Sequence, residues 1–155
     1  MKLASTLRSL ESALAQIGGA LQSPLLLVIR LYWGWSFAQT GWGKLMNLER
    51  TAGFFASLGL PAPKLNAIMA GGTECVGGVL LALGLFTRFA SPALIFVMLV
   101  AYFTADREAL FAIFRDGDKF TGAAPFLFLA AALVVFVFGP GRFSLDRWVR
   151  KQPVK

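Results

Sequence analysis

The sequence predicts an all-α integral membrane protein: a four-helix bundle with an amphipathic helix ahead of it and short interfacial helices in its outer loops. Three observations carry that prediction. Of the 155 residues, 57% are hydrophobic and only 15% charged, too little polar side chain to cover a soluble globule of this length. Four stretches come close to the roughly 20 apolar residues that a helix needs to cross a bilayer. Finally, there is no histidine and a single cysteine, Cys75. Intramolecular disulfides, Cys-x-x-Cys relays and the usual haem, copper or catalytic zinc ligand sets are thereby excluded, and no metal site is expected.

The whole chain reads as one membrane domain. Over residues 1–22, Leu3, Leu7, Leu10, Leu14, Ile17 and Leu21 share one helical face, while Lys2, Arg8, Glu11 and Gln16 lie elsewhere. This pattern predicts an amphipathic helix lying flat on the cytoplasmic surface, with Ser23-Pro24 turning the chain into the membrane. It lacks the continuous apolar core of a secretory signal. The expected spans are about 24–42, 65–86, 89–105 and 121–139, followed by a basic tail over 140–155.

Two loops on the far side from the termini hold structure of their own. Residues 47–58 place Leu48, Ala52, Phe55 and Leu58 on one face; 106–114 start at an N-cap candidate, Asp106, and are expected to bury Leu110, Ile113 and Phe114. Both predict short helices over one mouth of the bundle.

Charge sets the expected direction. Lys2, Arg8, Arg88, Arg142, Arg147, Arg150, Lys151 and Lys155 gather on the side of the termini, against Glu11 and Asp146, whereas the opposite loops are nearly balanced. The positive-inside rule places both termini in the cytoplasm. The net charge of +7 then suits anionic lipid headgroups at the basic tail, not nucleic acid.

Two ionisable side chains of opposite sign fall within the spans, Arg30 in the first and Glu74 in the second. At depth each costs at least ~2.5–3.5 kcal/mol on insertion scales. Consecutive spans are neighbours by default, so an Arg30–Glu74 ion pair is expected. A small-residue stripe, Gly71, Cys75, Gly78 and Ala82, faces Gly34 and Gly41 of the first span, and lets the two backbones approach closely. Two readings of the pair stand: a pin that sets helix register, or part of a pocket with Tyr32, Trp33, Gln39 and Lys44 that holds the head of an amphiphile such as a quinone or lipid. Cys75 is read as inert packing, and no catalytic residue is assigned.

Taken together, IRLYWGWSFAQTGWGKL, TECVGGVLLALGLFTRFASPALIFVML and GPGRFSLD resemble the DoxX family of small bacterial and archaeal membrane proteins, over about residues 25–146. The matching positions are Arg30, Gly34, Gly41, Lys44, Glu74, Gly77, Gly78, Gly84, Arg88, Gly139, Pro140, Gly141, Ser144 and Asp146. The resemblance implies a four-helix fold in the plasma (inner) membrane and a place in respiratory, sulfur-linked or oxidative-stress redox. It implies protein partners in such a complex and a quinone or lipid rather than an intrinsic cofactor. With no redox ligands of its own, the chain reads as an accessory subunit rather than a standalone oxidoreductase. The alternative is a scaffold or assembly protein whose ion pair is architectural. Association of copies through the small-residue faces is compatible with either.

Overall fold

The computed structural model describes residues 2–150, with side chains from 7 to 149. The side chains of Lys2 and Leu3, and the tail beyond residue 150, lie outside the described residues. Among the described residues eight helices follow in order: α1 (Lys2–Met46), α2 (Leu48–Ser57), α3 (Pro63–Leu83), α4 (Thr87–Thr104), α5 (Arg107–Phe111), α6 (Gly117–Thr121), α7 (Pro125–Phe138) and α8 (Leu145–Arg150). No strand occurs among the described residues. The four longest form a closed ring, each packing on its neighbours: α1 on α3, α3 on α4, α4 on α7, and α7 back on α1.

The centre of the ring is apolar. Phe37, Leu81, Leu94, Met98, Ala132 and Val135, one or two from each helix, are buried together. The outward faces are apolar as well, with Val28, Trp35, Phe89, Phe96 and Val137 each more than half exposed. A helix apolar all round belongs in lipid. Among the described residues three helices are long and apolar enough to cross a membrane: α1 over Leu7–Met46, α3 and α4. α7 is equally apolar but has only 14 residues, about 21 Å of helix at ~1.5 Å per residue.

The expected turn at Ser23-Pro24 is absent. α1 runs unbroken through Pro24 for 45 residues, although proline removes one N–H from the helical ladder. Every side chain from Leu7 to Gln22 is exposed. The bundle begins at Ser23, whose hydroxyl accepts from the Arg142 N–H at 3.3 Å.

Glycine makes the α1–α3 contact. A Cβ on Gly34 would lie 2.6 Å from the backbone nitrogen of Ala82, and one on Gly78 would lie 2.6 Å from the carbonyl of Gly34. Gly41 meets the backbones of Gly71 and Cys75 in the same way. With no Cβ between them the two backbones touch, which in lipid replaces the hydrophobic drive that helix pairs enjoy in water. Gly77 faces the other neighbour: its Cβ would sit 3.0 Å from the Leu94 side chain of α4.

The loop helices differ in how closely they follow the pattern. α2 buries Ala52 and half-buries Leu48, Phe55 and Leu58, the expected face. The helix after Asp106 stops at Phe111, so the anticipated apolar stripe is cut short. Ala109 is its buried residue, while Ile113 and Phe114 are 41% and 95% exposed. Asp106 stands at the N-cap position without a side-chain cap bond; Asp116 does cap α6, accepting from the Lys119 N–H at 3.0 Å.

Candidate functional site: a charged pair at the end of an apolar cleft

Glu74 and Arg30 are both 1% exposed, yet they do not meet. The two carboxylate oxygens of Glu74 accept from Nζ of Lys44, with Oε2 at 2.5 Å. The expected Arg30–Glu74 pair is therefore replaced by Lys44–Glu74. The reason is register. The helices are antiparallel, with Gly34 against Gly78 and Ala82, and Gly41 against Gly71 and Cys75. That places Arg30 level with Gly84 and Glu74 level with Thr40, about 15 Å apart along the axis at ~1.5 Å per residue. Lys44 stands one turn beyond Thr40 on the same face as Arg30 and Phe37, and its four-carbon stem reaches back to the carboxylate.

Arg30 has a different task. Its guanidinium donates to the carbonyl of Pro140 and, at 2.6 Å, to that of Phe143. It lies over Gly84, where a Cβ would fall 2.7 Å from the Cβ of Ser144. Gly139 and Gly141 adopt φ of 77° and 76°, left-handed values that favour glycine, and so the segment after α7 folds back across the guanidinium. Asp146 then locks the α3–α4 turn. Its carboxylate accepts from the N–H of Phe86 at 2.7 Å and from the N–H and hydroxyl of Thr87 at 3.0 and 2.6 Å, while its own N–H donates to the Gly84 carbonyl at 2.9 Å. An anion at the start of α4 satisfies orphan N–H groups and faces the positive end of the helix dipole. Phe86 itself sits at φ 48°, a left-handed conformation costing ~1–2 kcal/mol outside glycine, and the Asp146 bonds hold it there. Ser144 accepts from the Arg147 N–H at 3.4 Å and so caps α8. Arg88 is exposed beside this cluster.

The motif residues thus divide into two groups at opposite ends of the α1–α3 contact. One end is a lock made by Arg30, Gly84, the Gly139–Gly141 turn, Ser144 and Asp146. The other end is open. There a cleft of about 400 Å³ runs between α3 and α4 beneath α2. Phe54, Phe55 and Leu58 roof it; Met69 and Thr73 of α3 and Phe96, Val97 and Val100 of α4 form its walls; Lys44 and Glu74 close its inner end. Met69 and Phe96 are 60% and 67% exposed, so the cleft opens sideways toward the lipid-facing surface. A largely apolar groove with one convergent charged pair suits a ligand with a polar head and an apolar body.

Of the other expected lining residues, Tyr32 is 64% exposed on the outer face of α1, Gln39 is exposed, and Trp33 stacks edge-on with Tyr32 and Phe128. None of the three lines the cleft. Sequence reading missed its α2 and α4 walls, because nothing in the local pattern says which helix α2 will roof. A second cavity of about 630 Å³ lies over α5 and α6. There Lys119, hydrogen-bonded to Glu108 at 2.9 Å, holds that carboxyl below the usual carboxylate range. Among the described residues no group of His, Cys, Asp or Glu side chains is arranged to hold a metal ion.

A ring of apolar helices with a half-buried Lys44–Glu74 ion pair at the end of a lateral cleft defines a small, multi-helix membrane protein. The DoxX family model matches residues 25–107, and the chain belongs to the DoxX family. It is 34% identical over 135 residues to the inner membrane protein YphA of Escherichia coli, covering 83% of this chain and 93% of that one. It is 33% identical over 141 residues to the uncharacterized membrane protein Rv3486 of Mycobacterium tuberculosis, covering 83% of each. A putative oxidoreductase of Bacillus subtilis, CatD, is 31% identical over 127 residues, covering 81% and 87%. No solved structure matches the chain. Family and relatives together make this a bacterial inner-membrane protein.

Proposed function

We propose that the chain is an accessory subunit of a membrane redox complex, and that it holds a quinone or a comparable amphiphilic lipid in the cleft beneath α2. The observation that carries the reading is the Lys44–Glu74 pair at the closed end of a groove whose mouth faces lipid. An ammonium can donate to a quinone oxygen or a headgroup, and a carboxylate can accept from a hydroxyl of the reduced form. The apolar walls accommodate the tail. A redox setting is supported by a relative, CatD, whose name includes oxidoreductase. The sequence has no histidine and one cysteine, so electrons would be supplied by a partner.

The scaffold reading keeps one observation in its favour: both oxygens of Glu74 are already satisfied by Lys44, as they would be in a purely architectural pin. Native mass spectrometry of the full chain separates the two. A bound quinone or lipid is expected on the wild type, and reduced roughly tenfold or more in Glu74→Gln, the loss of one charged hydrogen bond being worth ~1.5–3 kcal/mol. Val97→Trp, which fills the cleft without touching the pair, is expected to displace the ligand while the protein stays folded. Full occupancy in both folded variants would sink the proposal and favour the scaffold.

A further inference from the structure

From Leu7 to Gln22, α1 projects beyond the bundle for 16 residues with every side chain exposed, about 24 Å at ~1.5 Å per residue. It is a direct continuation of the membrane helix, because the helix is unbroken through Pro24. Its apolar residues, Leu7, Leu10, Leu14, Ile17 and Leu21, are 58%, 56%, 67%, 55% and 59% exposed. Their spacing alternates three and four, a 3.5-residue repeat. That period is the seam of a left-handed coiled coil, which drifts about 20° per heptad on a straight helix and realigns when two helices supercoil.

We infer that this projection is a self-association stalk, pairing in parallel with the same segment of a second copy of the chain. Copies inserted in the same direction present their stalks on the same side, as a two-fold dimer requires. Glu11, Ala13, Gly18 and Ala20 flank the seam, and apart from Glu11 there is little bulk beside the leucines to keep two helices apart. Stability points the same way. Gly18 and Gly19 sit within the helix, and a Cβ added at either would meet nothing within 4 Å. Glycine is the poorest helix former after proline, and a segment of this length is marginal by itself.

The size of the seam is adequate. Five leucine-type side chains at roughly 100 Å² apiece, continued on the same face by Val28, Leu31 and Trp35, bring each copy to about the 800 Å² of a standard interface. The charge argues against a lipid surface as the occupant. From Leu7 to Gln22 the charged side chains are Arg8 and Glu11, which cancel, whereas helices that lie on anionic membranes carry an excess of Lys and Arg on the polar face.

The test uses the full chain, in membranes and in a Cys75→Ala background. Single cysteines are placed on the seam (Leu10→Cys, Leu14→Cys, Ile17→Cys) and on the opposite face (Ser12→Cys, Gln16→Cys, Gly19→Cys). Disulfide-linked dimers are expected from the seam set and not from the opposite set. Leu14→Asp is expected to shift the solution mass in detergent from dimer to monomer with the bundle's melting unchanged. Equal or absent cross-linking in both sets would overturn the inference. So would a monomeric wild type whose seam labels are quenched by nitroxide lipids, which would assign this face to the membrane surface.

Discussion

Gly78 shows how much a single residue decides here. The space a Cβ would need is filled by backbone of Gly34 and Ala38, and backbone, unlike a flexible side chain, has nowhere to move. Gly78→Leu is therefore expected to separate α1 from α3 and lower the melting temperature in detergent, by ~1–3 kcal/mol or more of overpacking. The same change at Gly43, which has open space around it, is the control; equal melting of the two variants would refute the argument. This glycine contact was legible in the sequence, because small residues at helical spacing on two neighbouring spans leave little else for the backbone to meet. The partner of Glu74 was not. Arg30 and Lys44 are both basic and share a face, and only the axial register of two antiparallel helices decides which one is level with the carboxylate.

Among the elements, the start of α4 is held by a residue sixty positions later. Asp146 supplies the cap that Phe86, whose side chain has no acceptor, cannot provide. Asp146→Asn keeps one acceptor but loses the charge, and is expected to cost about 0.5–2 kcal/mol, the usual value of a helix cap. Hydrogen exchange reads it directly: the amides of Phe86 and Thr87 should exchange faster while those in the middle of α3 do not change. Protection that stays the same at both would show that the cap is dispensable. The GPG-x-x-S-x-D stretch was visible as a motif, and Gly139 as a helix stop. Its closure over Arg30 and Gly84 was not visible, since the contact joins residues more than fifty apart and leaves no local periodicity. Pro24 taught the opposite lesson. Local propensity places a turn there, but the surrounding helix tolerates the lost hydrogen bond and runs through it.

At the scale of the molecule, the ring of α1, α3, α4 and α7 leads us to propose four crossings with both termini in the cytoplasm. α7 is short for a span, so the count is open to test. In a Cys75→Ala background, single cysteines replacing Ser9 and Trp148 are expected to resist an impermeant thiol reagent added to intact cells, while one replacing Ser57 reacts. Labelling of Trp148→Cys but not Ser9→Cys would leave three crossings and a re-entrant α7.

Class, the approximate positions of the apolar spans and the glycine face follow from the sequence by itself, because hydropathy and small-residue spacing are properties of one segment at a time. The tertiary structure alone decided that Lys44 and not Arg30 meets Glu74, that Arg30 belongs to a lock with the C-terminal loop, and that a cleft lies beneath α2. Each of these depends on the register and neighbours of whole helices, and in lipid those are settled by backbone packing that no single segment encodes.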